Sequence, residues 1–178
     1  MIYGVWSGRV GAHTPAQTFR EHSPALYASY FVFATVRHPF ERLQSTFYYL
    51  KAGGRHEGDR RWAAENISQF DTFRQFVLAL ENDATRERVM RYVHFKPQTH
   101  FVCDADGKLM VETLVRTEEF ETGMREVCRT LNIDFINQRI NVTAPYAGRN
   151  EELTPDLEQI CRALYPQDYD ILQYRPLR

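Results

Sequence analysis

Arg37 and Ser45 have the residue types and the spacing of an anion-binding site. Arg37 follows residues 31–36, a short apolar run that suits a buried strand, and Pro39 stands where a helix can begin. A helix N-terminus offers unpaired N–H groups to a phosphate, and the Arg37 guanidinium adds a planar charged fork. Ser45 lies eight residues after Arg37, close to two helical turns, so its hydroxyl could meet the same phosphate. An ordinary strand–helix junction with a solvated arginine explains the same spacing.

Hydrophobic periodicity predicts the elements that must position these residues. After Pro39, apolar residues recur at helical spacing at Phe40, Leu43, Phe47 and Leu50. They predict a helix whose core-facing stripe lies opposite Ser45. Further helices are predicted over 68–80, with Asp71 as the cap, over 119–131 and from Thr154 onward, and a second strand over 109–115.

Residues 52–61 are rich in glycine and charge, which predicts a loop. A loop in this place could cover an acceptor site, because binding residues are often carried on loops. A solvated loop without a binding role is an equally good interpretation.

Composition sets the class of protein. A length of 178 residues predicts one domain, and 22 basic against 23 acidic residues do not favour a nucleic-acid partner or an anionic membrane surface. No run reaches the ~20 apolar residues of a membrane span, and the first residues lack a signal-peptide pattern. The three widely spaced cysteines, Cys103, Cys128 and Cys161, predict buried thiols, a reducing compartment and so a cytoplasmic location.

Two segments carry a resemblance to a known family. The ten residues from Val36 to Ser45, VRHPFERLQS, resemble the 3′-phosphate-binding motif of sulfotransferases that use 3′-phosphoadenosine 5′-phosphosulfate (PAPS). The pattern is closest to the Golgi-type carbohydrate sulfotransferases and their bacterial relatives. Residues 94–98, HFKPQ, resemble the His-x-x-Pro-Gln segment of the same group. The resemblance implies an α/β fold of the P-loop type, a three-layer domain with a short parallel sheet.

The resemblance also implies a reaction and a set of cofactor-binding residues. PAPS would be the co-substrate, and its sulfuryl group would go to a hydroxyl or amine of an acceptor, with a carbohydrate expected first. Arg37 and Ser45 would hold the 3′-phosphate. Arg116 matches the family's Arg-x-Glu after a strand and would line the cofactor pocket, although a salt bridge to a neighbouring helix explains it as well. No His or Cys set has metal-ligand spacing, and sulfuryl transfer needs no metal.

The remaining candidate residues are histidines and their neighbours. His13 stands before a short predicted helix, where some carbohydrate sulfotransferases have their general base, and a neutral imidazole can take the acceptor proton. A loop histidine that caps or packs is the alternative. His94, Lys96 and Gln98 are candidate contacts to the acceptor or to the sulfate.

One family element is not found in the sequence. Relatives open with a 5′-phosphosulfate loop that contains lysine, whereas Gly4, Gly8 and Gly11 have no lysine among them. The chain is therefore predicted to be a single sulfotransferase-like domain over 1–178, N-terminally incomplete relative to the family. A non-catalytic PAPS-binding relic is the alternative to an enzyme, and a kinase-like P-loop relative is disfavoured by the missing Walker loop. A missing strand would leave a sheet edge open to pairing, so a homo-oligomer is also expected.

Overall fold

The computed structural model describes residues 13–136 and 152–175, so Gly4, Gly8 and Gly11 lie outside the described residues. The chain divides into unit 1, which contains residues 13–38 and 97–136, and unit 2, which contains residues 39–96 and 152–175. In the described part, no helix combines the length and the apolar character needed to cross a membrane. Cys103, Cys128 and Cys161 all lie within these ranges, are buried and form no disulfide.

Short helices dominate both units. The elements are, in chain order, α1 (Ala16–His22), α2 (Pro24–Ser29), β1 (Phe33–Val36), α3 (Pro39–Lys51), α4 (Glu57–Asn66), α5 (Phe73–Ala79), α6 (Asp83–Met90), α7 (Thr99–Val102), β2 (Thr113–Arg116), α8 (Phe120–Thr130), α9 (Pro155–Leu164) and α10 (Pro166–Ile171). Single 3₁₀ turns lie at Val93–Phe95 and Thr117–Glu119.

The sheet of unit 1 confirms the prediction of a short parallel sheet. Its described strands, β1 and β2, run parallel, with Phe33 opposite Thr113 and Val36 opposite Arg116. The predicted second strand begins late, at Thr113, because Leu109 instead bridges Cys103 in the antiparallel sense. The three-layer arrangement and the P-loop character stay predictions.

Helix α8 packs against β2 through a glycine. A Cβ added to Gly123 would lie 2.8 Å from Cγ1 of Val115, which is 1% exposed. Val127 and Cys128 are buried on the same helix, and Asn132 ends it in a left-handed conformation with φ of 53°. Gly123 is therefore required by the close approach of the helix to the sheet.

Gly123→Ala is expected to destabilise the protein even though alanine is the better helix former. The gain in helix propensity is about 1 kcal/mol, whereas overpacking a buried contact costs about 1–3 kcal/mol. Gly58→Ala is the matched control, because Gly58 lies in α4 with no atom within 4 Å of its added Cβ. Thermal unfolding should show a lower Tm for Gly123→Ala and an unchanged or higher Tm for Gly58→Ala. Equal shifts in the two variants would contradict the contact.

Unit 2 is built around α3, and the predicted helix is confirmed from Pro39 onward. Its apolar stripe is buried as predicted, at Phe40, Leu43, Phe47 and Leu50. Aromatic rings from α5 pack against this stripe, with Phe73 5.5 Å from Phe40 and Phe76 5.1 Å from Phe47 between ring centroids. The opposite side of α3 leaves Ser45 exposed.

Two predictions in unit 2 are wrong. Helix α5 is capped by Thr72 rather than Asp71, because Thr72 and Gln75 form a capping box. The predicted loop over 52–61 ends early, because α4 begins at Glu57. Glu57 and Asp59 place negative charge in the first turn of α4, which stabilises a helix start.

Candidate functional site

The backbone of Arg37 is held by one side chain. The Arg37 N–H donates to Oε1 of Gln98 at 2.8 Å, and Nε2 of Gln98 donates to the Arg37 carbonyl at 2.8 Å. Gln98 is 7% exposed, so both hydrogen bonds are shielded from water. The side-chain amide of Gln98 thus pairs with the N–H and the carbonyl of Arg37, one residue beyond the end of β1, as a neighbouring strand would.

The next residue is held in the same way. The His38 N–H donates to Oε1 of Glu118 at 2.5 Å, and His38 is 3% exposed. Hydrogen bonds to a carboxylate are stronger than those between neutral groups. Gln98 and Glu118 therefore hold the backbone of Arg37 and His38 in place beyond the end of β1. Because the backbone is held, the position of the Arg37 Cα atom, from which the side chain starts, is fixed.

Two arginines share the carboxyl edge of the sheet. Arg37 directly follows β1, and Arg116 is the last residue of β2, opposite Val36. Both arginines are half-buried. Ligands of parallel α/β sheets bind outside the carboxyl ends of the strands, and two guanidinium groups there favour an anion. The edge of unit 1 therefore has the composition of a phosphate or sulfate site.

His13 also lies in unit 1, just before α1. Its φ of 65° is left-handed, a conformation that costs a non-glycine residue roughly 1 kcal/mol or more, although histidine is enriched there. Helix α1 packs against α7, the helix that follows Gln98. Residues in sparsely populated backbone conformations cluster at functional sites, which makes the backbone of His13 consistent with such a role.

The seven predicted site residues are divided between the units. Unit 1 contains His13, Arg37, Gln98 and Arg116, and unit 2 contains Ser45, His94 and Lys96. The shared role of Arg37 and Ser45 therefore stays a prediction. For Gln98 the structure identifies a partner that the sequence did not suggest, the backbone of Arg37.

A buried carboxylate in unit 2 was not among the predicted residues. Asp59 is 6% exposed and accepts hydrogen bonds from the Tyr49 hydroxyl at 2.6 Å and the Tyr92 hydroxyl at 2.5 Å. Nε2 of His94 lies 3.2 Å from the same Oδ1 that binds Tyr92. The backbone N–H of Arg55 lies 3.4 Å from Oδ2. We call Asp59, Tyr49, Tyr92 and His94 the Asp59 cluster.

The protonation states in this cluster follow from its hydrogen bonds. Burial alone would raise the pKa of Asp59, but the hydrogen bonds from Tyr49 and Tyr92 and the charge of His94 lower it well below its usual range. Burial and the hydrogen bond to Asp59 raise the pKa of both tyrosines. Asp59 is therefore an ionised acceptor, and both tyrosines remain protonated donors at neutral pH.

The loop before α4 passes close to this carboxylate. Gly54 has φ of 63°, and a Cβ added there would overlap with Cβ of Asp59. The tight passage explains why glycine-rich sequence precedes Asp59. From the sequence alone, Asp59 is one charge in a charged segment, and its partners lie 10, 33 and 35 residues away.

Asp59→Asn is expected to destabilise the protein at pH 7, and this loss of stability should become smaller as the pH falls below about 3.9. A carboxyl whose folded pKa is lowered contributes stability above its unfolded pKa of ~3.9 and loses it as the pH falls through the folded value. Urea unfolding of wild type and variant across this range measures the difference in unfolding free energy. Asp170→Asn, an exposed site in α10, is the control. A difference that is constant with pH would contradict the charged state of Asp59.

Comparison with known proteins identifies one family. The family model described as "Sulfotransferase family" matches residues 10–175, nearly the whole chain. No curated protein and no solved structure matches the chain. Among the described residues, no group of three or more His, Cys, Asp or Glu side chains could hold a metal ion.

Proposed function

This chain belongs to the sulfotransferase family, and we propose that it transfers a sulfuryl group from PAPS to a hydroxyl of an acceptor, with carbohydrates as the first class to test. The observation that supports this proposal most directly is the backbone of Arg37, held by Gln98 at the carboxyl edge of a parallel sheet. The family match and the Val36–Ser45 motif are the reasons for proposing the 3′-phosphate of PAPS as the ligand of Arg37.

The 3′-phosphate of PAPS is the proposed partner of Arg37 and Ser45. The guanidinium matches a phosphate bidentately, and a serine hydroxyl can donate to a phosphate oxygen. Arg116, at the end of β2, is proposed to add positive charge for the same co-substrate. The P-loop character of the fold belongs to this proposal as well.

His13 is the proposed general base. In the transfer, the acceptor oxygen forms a bond to sulfur, the bond between sulfur and the bridging phosphate oxygen breaks, and adenosine 3′,5′-bisphosphate leaves with that electron pair. His13 takes the proton that the acceptor hydroxyl loses. By analogy with phosphoryl transfer, positioning and positive charge supply most of the remaining rate enhancement.

His13→Asn is expected to lower kcat by about 10²–10⁴-fold, the range for losing a general base. Asparagine tolerates the left-handed backbone at this position, so the fold should be kept. Affinity for adenosine 3′,5′-bisphosphate, measured by calorimetry, should be unchanged. If the kcat of His13→Asn stays within a few-fold of the wild-type value, His13 is not the general base.

Binding without turnover is a second candidate function. The two hydrogen bonds that hold the backbone of Arg37 would serve nucleotide binding whether or not a sulfuryl group is then transferred. Calorimetry with adenosine 3′,5′-bisphosphate and a sulfate-transfer assay separate the two functions. Binding with transfer supports the enzyme, and binding without transfer supports the second candidate. No binding overturns both. The homo-oligomer and the cytoplasmic location stay predictions.

A further inference from the structure

The turn after β2 contains a buried hydroxyl group whose hydrogen bond is not made within the described part of the chain. Thr117 opens the 3₁₀ turn Thr117–Glu119, directly after the end of β2. Its hydroxyl oxygen is fully buried, and no group in the described ranges 13–136 and 152–175 is within hydrogen-bonding reach of it. Such a hydroxyl lowers stability, because it has given up its hydrogen bonds to water and gained none in return. Its presence therefore needs a physical reason.

The residues on either side hold Thr117 at the carboxyl edge of the sheet. Arg116 is the last residue of β2 and lies opposite Val36 in the register of the sheet. Oε1 of Glu118 accepts the hydrogen bond from the His38 N–H at 2.5 Å. The backbone of Thr117 is therefore held between the sheet on one side and this hydrogen bond on the other.

The chemistry of this edge matches a hydroxyl donor. Ligands of parallel α/β sheets bind outside the carboxyl ends of the strands, and Arg37 and Arg116 give this edge of unit 1 its positive charge. A threonine hydroxyl can donate one hydrogen bond, and a bond to an ionised acceptor is roughly twice as strong as a bond between neutral groups. The ligand that would best satisfy the hydroxyl is therefore an anion.

Rotation about one bond can bring the hydroxyl to a ligand. Thr117 as a whole is half-buried, so part of the residue reaches the surface although its hydroxyl oxygen does not. A rotation of about 120° around the Cα–Cβ bond moves the oxygen to another staggered position. Threonine populates more than one of these positions, so the backbone need not move.

We propose that the Thr117 hydroxyl is a nucleotide-binding group, which rotates to donate a hydrogen bond to a phosphate oxygen of adenosine 3′,5′-bisphosphate beside Arg116. The bound nucleotide supplies the acceptor that the described part of the free protein does not. The identity of this ligand rests on the proposed sulfotransferase function. The buried hydroxyl itself is an observation on unit 1 that is independent of that function.

Thr117→Val tests the state of the hydroxyl in the absence of any ligand. Valine has the shape of threonine without the hydroxyl, so the variant should raise Tm by about 2–4 °C. Thr122→Val, at an exposed position of α8, is the matched control and should leave Tm unchanged. If Tm of Thr117→Val is equal to or below that of the wild type, the hydroxyl is already satisfied in the free protein and the proposal is overturned.

Calorimetry with adenosine 3′,5′-bisphosphate tests the contact to the nucleotide. Affinity should fall about tenfold in Thr117→Val and stay within about threefold of wild type in Thr117→Ser, which keeps the hydroxyl. Thr122→Val should bind as tightly as the wild type. Wild-type affinity in Thr117→Val, or equal losses in the valine and serine variants, would overturn the contact while the proposed function stands. No binding by the wild type would instead refute the proposed function, and the contact with it.

Discussion

Replacing Arg37 with alanine is expected to lower the affinity for adenosine 3′,5′-bisphosphate by about 100-fold. A guanidinium that binds a phosphate bidentately makes two charge-assisted hydrogen bonds, and losing about 3 kcal/mol corresponds to about 100-fold in Kd. Gln98 contacts only main-chain atoms of Arg37 in its two hydrogen bonds, so both bonds can persist in the variant. The loss of affinity should therefore reflect the missing guanidinium group and not a change in the backbone at the end of β1.

Two further variants sharpen this result. Arg37→Lys keeps the charge but loses the planar fork, so an intermediate loss of roughly tenfold is expected. Arg129→Ala removes an exposed arginine of unit 1 that pairs with Glu126 in α8, and it should leave the affinity unchanged. Isothermal calorimetry on wild type and the three variants measures all four affinities. Wild-type affinity in Arg37→Ala would exclude Arg37 from nucleotide binding.

The elements that carry their own local signals could be predicted from the sequence. Helix α3 has a proline at its first position and a stripe of four buried apolar residues, and α9 begins at Pro155 directly after Thr154, as predicted. Helix α8 ends with Asn132 in a left-handed conformation. In each of these helices, the residue that starts or ends the helix and the apolar residues at helical spacing lie within one segment of the chain. The helix can therefore be recognised without knowledge of any distant contact.

The features that the sequence did not predict depend on distant partners. The amide of Gln98 and the backbone of Arg37 are 61 residues apart, and no local pattern couples them. Helix α4 begins inside a segment rich in glycine and charge, and its Asp59 is buried only because Tyr92 and His94 arrive from another part of the chain. The start of β2 is likewise set by where β1 offers a partner. Tertiary contacts decide all three.

Replacing Gln98 with glutamate is expected to lower the unfolding free energy by about 2–4 kcal/mol at pH 7, the cost of disrupting a buried polar group that makes two hydrogen bonds to the backbone. One oxygen of the new carboxylate can still accept from the Arg37 N–H. The other oxygen would face the Arg37 carbonyl, where Nε2 of Gln98 now donates at 2.8 Å. Two acceptors at that distance repel each other, so the end of β1 should shift and affinity for adenosine 3′,5′-bisphosphate should fall at least tenfold.

The pH dependence of this variant identifies the cause. A protonated carboxyl can donate to the Arg37 carbonyl as the amide does, so the folded state should raise the pKa of the new carboxyl. The stability deficit should therefore be smallest below the unfolded pKa of ~4.3 and grow as the pH rises toward the raised folded value. Gln75→Glu is the matched control, because glutamate serves a capping box as well as glutamine and Gln75 is exposed. Urea unfolding of both variants between pH 4 and pH 8 makes the comparison. If the loss of unfolding free energy in Gln98→Glu does not change with pH, the hydrogen bond to the Arg37 carbonyl does not hold the end of β1. Other contacts would then have to position Arg37.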